Sequence, residues 1–129
     1  MAEFLPSIEW KKITSGNDGD WIWARMGLEA VYSFEGTKQA TLGKFAMLIG
    51  QEDPNNAKDV EISISDSVNG PFRVIKQCTF VNALARIPYQ DCNLNREVAR
   101  YFKLKTLTSF SGSATGYVGQ IRLAGKLAN

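Results

Sequence analysis

The 129-residue sequence contains no histidine, and this absence weakens most classes of enzyme at once. Histidine is the commonest general acid–base side chain near neutral pH, and it takes part in Ser-His-Asp catalysis, Cys-His catalysis and many zinc sites. The acidic turn at Glu52 and Asp53 has no second carboxylate cluster to pair with, so glycoside hydrolysis is not indicated either. We therefore expect a protein that binds rather than catalyses. A small hydrolase or lyase is the least supported alternative.

Cysteine occurs twice, at Cys78 and Cys92, with a spacing that matches no metal site. A hairpin centred near Ala85 would place the two residues opposite each other, so a disulfide is geometrically allowed. We expect reduced, half-buried thiols, with the disulfide as the alternative that the sequence leaves open.

Strong charge and long apolar runs are lacking as well. The net charge of +2 is too small to indicate a nucleic-acid partner. No apolar run approaches the roughly 18 residues that span a bilayer, so we expect no membrane insertion. Residues 1–6 lack the basic start and apolar stretch of a signal peptide, which slightly favours the cytoplasm without fixing the location. The length is that of a single domain covering residues 1–129.

What the sequence does contain is apolar–polar alternation with a period of two residues, the pattern of half-buried strands. Val60, Ile62 and Ile64 alternate with polar residues, and the pattern recurs at 102–105 and 120–123. Further strands are predicted at 8–13, 29–34, 42–49, 73–80 and 85–89, with turn-forming clusters at 15–20, 51–56 and 69–71. The dense apolar run at 42–49 predicts a central strand covered on both faces. Together these segments predict an all-β fold, a β-sandwich jelly roll of about eight antiparallel strands.

Three segments combine strand and turn signals in a specific order: DVEISIS at 59–65 followed by SVNGPF at 67–72, then ARYFKL at 99–104, then GQIRL at 119–123. They resemble a strand, turn and next strand, followed by two later strands, of the discoidin-like, galactose-binding-domain superfamily. This superfamily includes coagulation-factor type C domains and related carbohydrate-binding modules. The resemblance implies a sandwich that binds a glycan through loops at one end. The alternative is an intracellular protein-interaction or assembly module, with a protein ligand.

The first candidate site is the segment that holds Asp18, Asp20, Trp21, Trp23 and Arg25. A sugar ring presents an apolar C–H face and a rim of hydroxyls, so its site needs an aromatic platform beside charged or amide groups. These five residues supply both kinds of group. Trp21 and Trp23 share one face if the segment is extended, and the alternative is that at least one of them packs in the core.

The second candidate site is the stretch 109–117, with Phe110, Ser111 and Tyr117 as ligand-binding residues. The resemblance places this stretch at the same end of the sandwich as the first site. Gly112 and Gly116 would allow the backbone to approach a ligand closely. The alternative is a crossover loop with Phe110 turned inward.

The resemblance also raises the question of calcium, because related domains hold this ion between a loop and a glutamate of the closing strand. This chain has Gln120 at the matching position, which removes one anionic oxygen from such a site. We therefore expect no metal and no cofactor, with calcium as the less supported alternative. A homo-oligomer or a larger assembly would strengthen weak binding through multivalency.

Overall fold

A computed structural model of the chain describes residues 2–4, 12–34, 36, 38–83 and 88–128. These residues form a short 3-10 helix, Lys12–Thr14, and ten strands. The strands are β1 (Ala2–Phe4), β2 (Ile22–Arg25), β3 (Glu29–Phe34), β4 (Ala40–Leu48), β5 (Ala57–Ser65), β6 (Arg73–Thr79), β7 (Tyr89–Ala99), β8 (Tyr101–Ser109), β9 (Thr115–Val118) and β10 (Ile121–Leu127). None of the described residues belongs to a helix with the length and apolar character needed to span a bilayer.

The strands form a five-stranded sheet in the order β1-β3-β8-β5-β6, a three-stranded sheet in the order β10-β4-β7, and a two-stranded ribbon of β2 and β9. Every pairing between these strands is antiparallel. The predicted all-β sandwich of antiparallel strands is confirmed. The structure has ten strands where about eight were predicted, because β1, β2, β9 and most of β7 lie outside the predicted segments.

The core lies between the two larger sheets and follows from the period-two pattern. Tyr32 on β3 stacks on Phe102 of β8, with ring centroids 4.8 Å apart and an interplanar angle of 13°. Both side chains are fully buried, and burial raises the pKa of the Tyr32 hydroxyl. Phe45 of β4 and Leu94 of β7 belong to the same buried cluster, from the three-stranded sheet.

Strand β4 is central in its sheet, as predicted, and both of its faces are covered only over residues 45–47, where three consecutive side chains are buried. A bulge between Leu42 and Lys44 shifts the register against β7. Leu42 is therefore buried before the bulge and Phe45 and Met47 after it, while Lys44 remains exposed. The change of phase at the bulge accounts for part of the dense apolar run. The prediction of two covered faces holds at residues 45–47, where Ala46 is buried as well, and not over the rest of 42–49.

Two other predicted strands differ from the structure. Ile13 is buried, but it lies in the 3-10 helix and not in a strand over 8–13. Residues 8–11 of that predicted strand lie outside the described residues. The strand predicted at 85–89 is represented by Tyr89 alone, where β7 begins, because residues 84–87 also lie outside the described residues.

Cys78 and Cys92 form a disulfide with a Cα–Cα distance of 6.0 Å, so the expectation of reduced thiols was wrong. The hairpin argument assumed that both residues lie in one sheet. Instead Cys78 lies on β6 and Cys92 on β7, the edge strands of the two different sheets, and the disulfide joins the layers. An ion pair between Arg73 and Glu97, 3.0 Å apart, connects the same two strands. Because disulfides persist mainly in oxidising compartments, this bond argues against the slight preference for the cytoplasm.

Asp59 ties three neighbouring strands together on the outer face of the larger sheet. Its carboxylate accepts hydrogen bonds from the hydroxyls of Thr108 on β8 and Thr79 on β6, both at 2.5 Å. These bonds hold the pKa of the Asp59 carboxyl below its usual value.

We expect Asp59→Asn to reduce the loss of stability in acid. A carboxylate with a lowered folded-state pKa stabilises the protein above the unfolded value of about 3.9, and this contribution disappears as the pH falls through the folded-state pKa. Urea unfolding at neutral and acidic pH measures the effect, with Asp66→Asn in the exposed turn after β5 as the control. The same pH dependence in both variants would contradict this role of Asp59.

Candidate functional site

The β2–β9 ribbon presents one apolar face to the core and the other face to solvent. Ile22 and Ala24 of β2 are buried, whereas Trp23 and Arg25 are exposed. Trp23 pairs with Tyr117, and Arg25 pairs with Thr115. Because side chains alternate along a strand, the buried pair anchors the ribbon and leaves Trp23 and Arg25 facing outward together.

Three aromatic side chains form a continuous row on this surface. Trp21 is 53% exposed and Trp23 is 47% exposed, so neither packs in the core. Tyr117 contacts both edge-on, with ring centroids 4.9 Å from Trp21 and 4.6 Å from Trp23. We call Trp21, Tyr117 and Trp23 the aromatic row. Exposed aromatic surface of this extent is typical of a binding site.

A cavity of about 500 Å³ opens beside one end of the aromatic row. Four of the residues singled out from the sequence line it: Asp18, Asp20, Trp21 and Tyr117. Its other walls come from the loop before β2, from the end of β4 and the loop that follows, and from the turn between β9 and β10: Gly19, Met47, Leu48, Ile49, Gly50, Gln51, Asp53, Asn56 and Gly119. The described lining thus combines aromatic rings with carboxylates and amides, and it contains no lysine or arginine.

Close backbone packing holds the ribbon against the rest of this cavity. The backbone N–H of Tyr117 donates to the carbonyl oxygen of Asn55 at 2.9 Å. A Cβ atom on Gly116 would overlap with that same carbonyl, and one on Gly119 would overlap with the carbonyl of Leu48. The space beside Gly116 is therefore filled by the chain's own backbone, although the sequence analysis suggested that a ligand would approach closely there. Gly112 has a φ of 78° and open space around it, as in a turn.

Asp18 is held by two residues that the sequence analysis did not identify. The hydroxyl of Tyr89 donates to Asp18 Oδ1 at 2.6 Å, and the Arg122 guanidinium lies 3.8 Å from the same oxygen. Arg122 also covers the Tyr89 ring, 3.5 Å from its centroid. Partial burial and the hydrogen bond to Asp18 raise the pKa of Tyr89 to about 12, so its hydroxyl remains a donor at neutral pH. Arg122 offsets part of the charge of Asp18 from outside the cavity.

The loop after β4 is fixed by the side-chain amides of Asn56 and Asn82. Asn56 Nδ2 donates to the carbonyl of Gln51 at 2.8 Å and to Asn82 Oδ1 at 2.9 Å. The backbone N–H of Asp53 donates to the same Asn82 oxygen at 3.2 Å. The sequence indicated a turn here, and the structure shows that Gln51, Asp53 and Asn56 of this turn line the cavity.

The remaining predicted residues lie outside the cavity. Phe110 is half-buried against the core, which matches the alternative of an inward-turned ring. Ser111 is exposed, and its hydroxyl donates to Asn55 Oδ1 at 3.2 Å, which holds the β8–β9 loop beside the loop after β4. Trp23 adjoins the cavity through Tyr117, and Arg25 lies further along the ribbon.

Gln120 lies at the position that matches the calcium-binding glutamate of related domains. The residues present do not fit this ion. The side chain is 1% exposed, and its Nε2 donates to the backbone carbonyls of Lys12 and Asp20. Its Oε1 accepts from the backbone N–H of Gly16 at 2.9 Å. The amide hydrogens thus satisfy two carbonyl oxygens that a hard cation would need as ligands. Among the described residues, no group of three or more acidic, cysteine or histidine side chains is placed to hold a metal.

Comparison with solved structures gives many similar folds at low sequence identity. The CBM32-3 module of a family 31 glycoside hydrolase from Clostridium perfringens superposes with a TM-score of 0.75 at 16% identity, over 98% of this chain and 88% of that one. GH31 CBM32-2 bound to GalNAc gives 0.72 at 12% identity, over 98% of each chain. The chain has a discoidin-like fold.

A third discoidin-like neighbour is the CBM32 of AlyQ in complex with 4,5-unsaturated mannuronic acid, with a TM-score of 0.70 at 11% identity over 96% of this chain and 93% of that one. These neighbours are carbohydrate-binding modules, and some of them are parts of larger enzymes. At the level of sequence, neither the protein-family models nor the curated proteins give a match. The likeness therefore establishes the discoidin-like fold, and the ligand must be argued from the site.

Proposed function

We propose that this chain is a non-catalytic carbohydrate-binding domain that holds a sugar residue in the cavity beside Trp21 and Tyr117. The observation that carries the proposal is the exposed aromatic row at the mouth of a cavity lined by carboxylates and amides. The rings offer a surface for the C–H face of a sugar, and Asp20, Gln51 and Asp53 offer acceptors and donors for its hydroxyls. The GalNAc and the mannuronic acid held by two neighbours of the same fold support this class of ligand.

Such a domain is expected to bind one sugar residue weakly. A single ring on an open site buries little area, so we expect a dissociation constant on the order of millimolar to high micromolar. Higher affinity then requires several sites, either on copies of this domain or within a larger protein. The chemistry at the site needs no cofactor, and the whole chain serves as one binding domain.

The alternative of an intracellular interaction module has lost part of its support. It depended in part on reduced cysteines, and the Cys78–Cys92 disulfide removes that argument. No described feature of the cavity favours a protein ligand over a sugar.

Trp21→Ala is expected to weaken sugar binding roughly tenfold or more, because it removes one of the two rings that line the cavity. Trp21 is half-exposed, so the fold is expected to survive, with a melting temperature close to that of the wild type. A glycan array identifies a ligand, and calorimetry with that ligand measures the change. Val74→Ala on β6, also exposed, is the matched control.

Two results would contradict the proposal. The first is a wild-type protein that binds nothing on the array or in calorimetry with simple hexoses and N-acetylhexosamines. The second is a sugar affinity that stays the same when a folded Trp21→Ala variant replaces the wild type.

A further inference from the structure

Trp23 and Arg25 form an exposed surface that the cavity does not use. Tyr117 contacts both Trp21, which lines the cavity, and Trp23, which does not. The aromatic row is therefore continuous from the cavity onto the open ribbon. Trp23 and Arg25 lie two residues apart on the same exposed face of β2, a distance of about 6.7 Å along an extended strand. A sugar chain with one residue in the cavity would extend over Trp23 and reach Arg25.

The charge changes sign along this path. Asp18, Asp20 and Asp53 line the cavity, and no described lysine or arginine lines it with them. Arg122 approaches Asp18 at 3.8 Å and offsets part of that charge, but no ion pair reaches Asp20 or Asp53 among the described residues. An anionic sugar is therefore disfavoured in the cavity, whereas a neutral sugar such as an N-acetylhexosamine is compatible with it.

At the other end of the path lies a cation. Arg25 is exposed, pairs in the ribbon with Thr115, and forms no ion pair with a described residue. A guanidinium binds a carboxylate through two parallel hydrogen bonds, which gives it a preference for planar acidic groups. The aromatic ring of Trp23 next to it offers the stacking surface for the sugar that carries such a group.

We propose that Trp23 and Arg25 form a second subsite for an acidic sugar residue, so that the domain recognises chains in which an N-acetylhexosamine adjoins a uronate. The hexosamine lies in the cavity and the uronate lies on Trp23, with its carboxylate on Arg25. This inference rests on the proposed function, because the first sugar must be held in the cavity.

The test uses four probes in calorimetry or NMR titration: N-acetylglucosamine, N-acetylgalactosamine, the neutral tetra-N-acetylchitotetraose, and an acidic tetrasaccharide of unsulfated hyaluronan or chondroitin. We expect the acidic tetrasaccharide to bind roughly three- to tenfold more tightly than its hexosamine alone or the neutral chain at low salt. Because the contact with Arg25 is exposed, raising the salt concentration reduces this advantage.

Variants separate the two subsites. Arg25→Gln keeps hydrogen-bond donors without the charge, and it is expected to abolish the preference for the acidic chain while monosaccharide affinity stays within twofold. Trp23→Ala is expected to weaken both tetrasaccharides more than the monosaccharide, because Trp23 lies outside the cavity and contacts it only through Tyr117. Val74→Ala is again the control on a different strand.

The outcomes are distinguishable. Binding of a monosaccharide that requires Trp21 supports the proposed function. If the acidic chain then binds no more tightly than the neutral chain, or if Arg25→Gln keeps the preference for the acidic chain, the second subsite is refuted and the proposed function stands. If wild-type protein binds none of the probes, the proposed function fails as well. If sedimentation shows a dimer that Trp23→Ala dissociates, a second copy covers this surface and the subsite is refuted.

Discussion

Replacement of both Cys78 and Cys92 by alanine is expected to lower the free energy of unfolding by about 3 kcal/mol. The disulfide closes a loop with a sequence separation of 14, and this is the size of loop for which the chain-entropy account gives that value. It also joins β6 and β7, the edge strands of the two sheets, and these two strands make few other contacts besides the Arg73–Glu97 ion pair. Because Cys78 is 1% exposed, the smaller alanine side chain adds a modest packing loss.

Urea unfolding of three samples checks this expectation: oxidised wild type, wild type in excess reductant, and the double alanine variant. Reduction removes the covalent bond and keeps the sulfur atoms, so it separates the effect of the cross-link from that of packing. The reduced wild type is expected to unfold at a lower urea concentration than the oxidised protein, and the double variant at the same concentration as the reduced form or slightly below it. Equal midpoints for the oxidised and reduced protein would show that the disulfide contributes nothing to stability.

The sequence predicts those strands well in which each alternate side chain enters the core. β3, β5 and β8 were all located from period-two alternation, because one face of each is buried against the other sheet. β7 was missed for an identifiable reason. Asn95 and Arg96 within it have φ values of 57° and 59°, and the register against β4 shifts at the same point. A bulge of this kind interrupts the alternation on which the prediction depends.

For the site, the residue types were predictable and their partners were not. A run with two tryptophans and two aspartates indicated a sugar-type surface, and the structure brings Asp18, Asp20 and Trp21 together in the cavity. Tyr89, however, is 71 positions from Asp18 in sequence. Such a pair depends on how the sheets are arranged, and no local pattern encodes it. β9 was read as loop for the same reason, since its pairing with β2 joins distant segments.

The replacement Gln120→Glu is expected to destabilise the protein by roughly 3 kcal/mol or more at neutral pH. The side chain is buried, and its Nε2 donates to the carbonyls of Lys12 and Asp20. A carboxylate oxygen at that position loses both hydrogen bonds and faces two carbonyl oxygens, which leaves a buried negative charge without compensation. The protonated carboxyl avoids this charge, so the loss of stability should be smaller at acidic pH than at neutral pH.

The second part of this prediction concerns the effect of calcium on the stability of Gln120→Glu. In the variant, the carboxylate of the new glutamate and the carbonyls of Lys12 and Asp20 together form a set of oxygen ligands that suits a hard cation. Millimolar calcium is therefore expected to raise the melting temperature of Gln120→Glu and to leave that of the wild type unchanged, because binding to the folded state stabilises it by mass action. Gln120→Ala serves as the control: it also loses the hydrogen bonds, but it introduces no charge and no ligand, so calcium should not stabilise it. A wild-type protein that calcium stabilises as much as the variant would show that the amide of Gln120 does not exclude the ion.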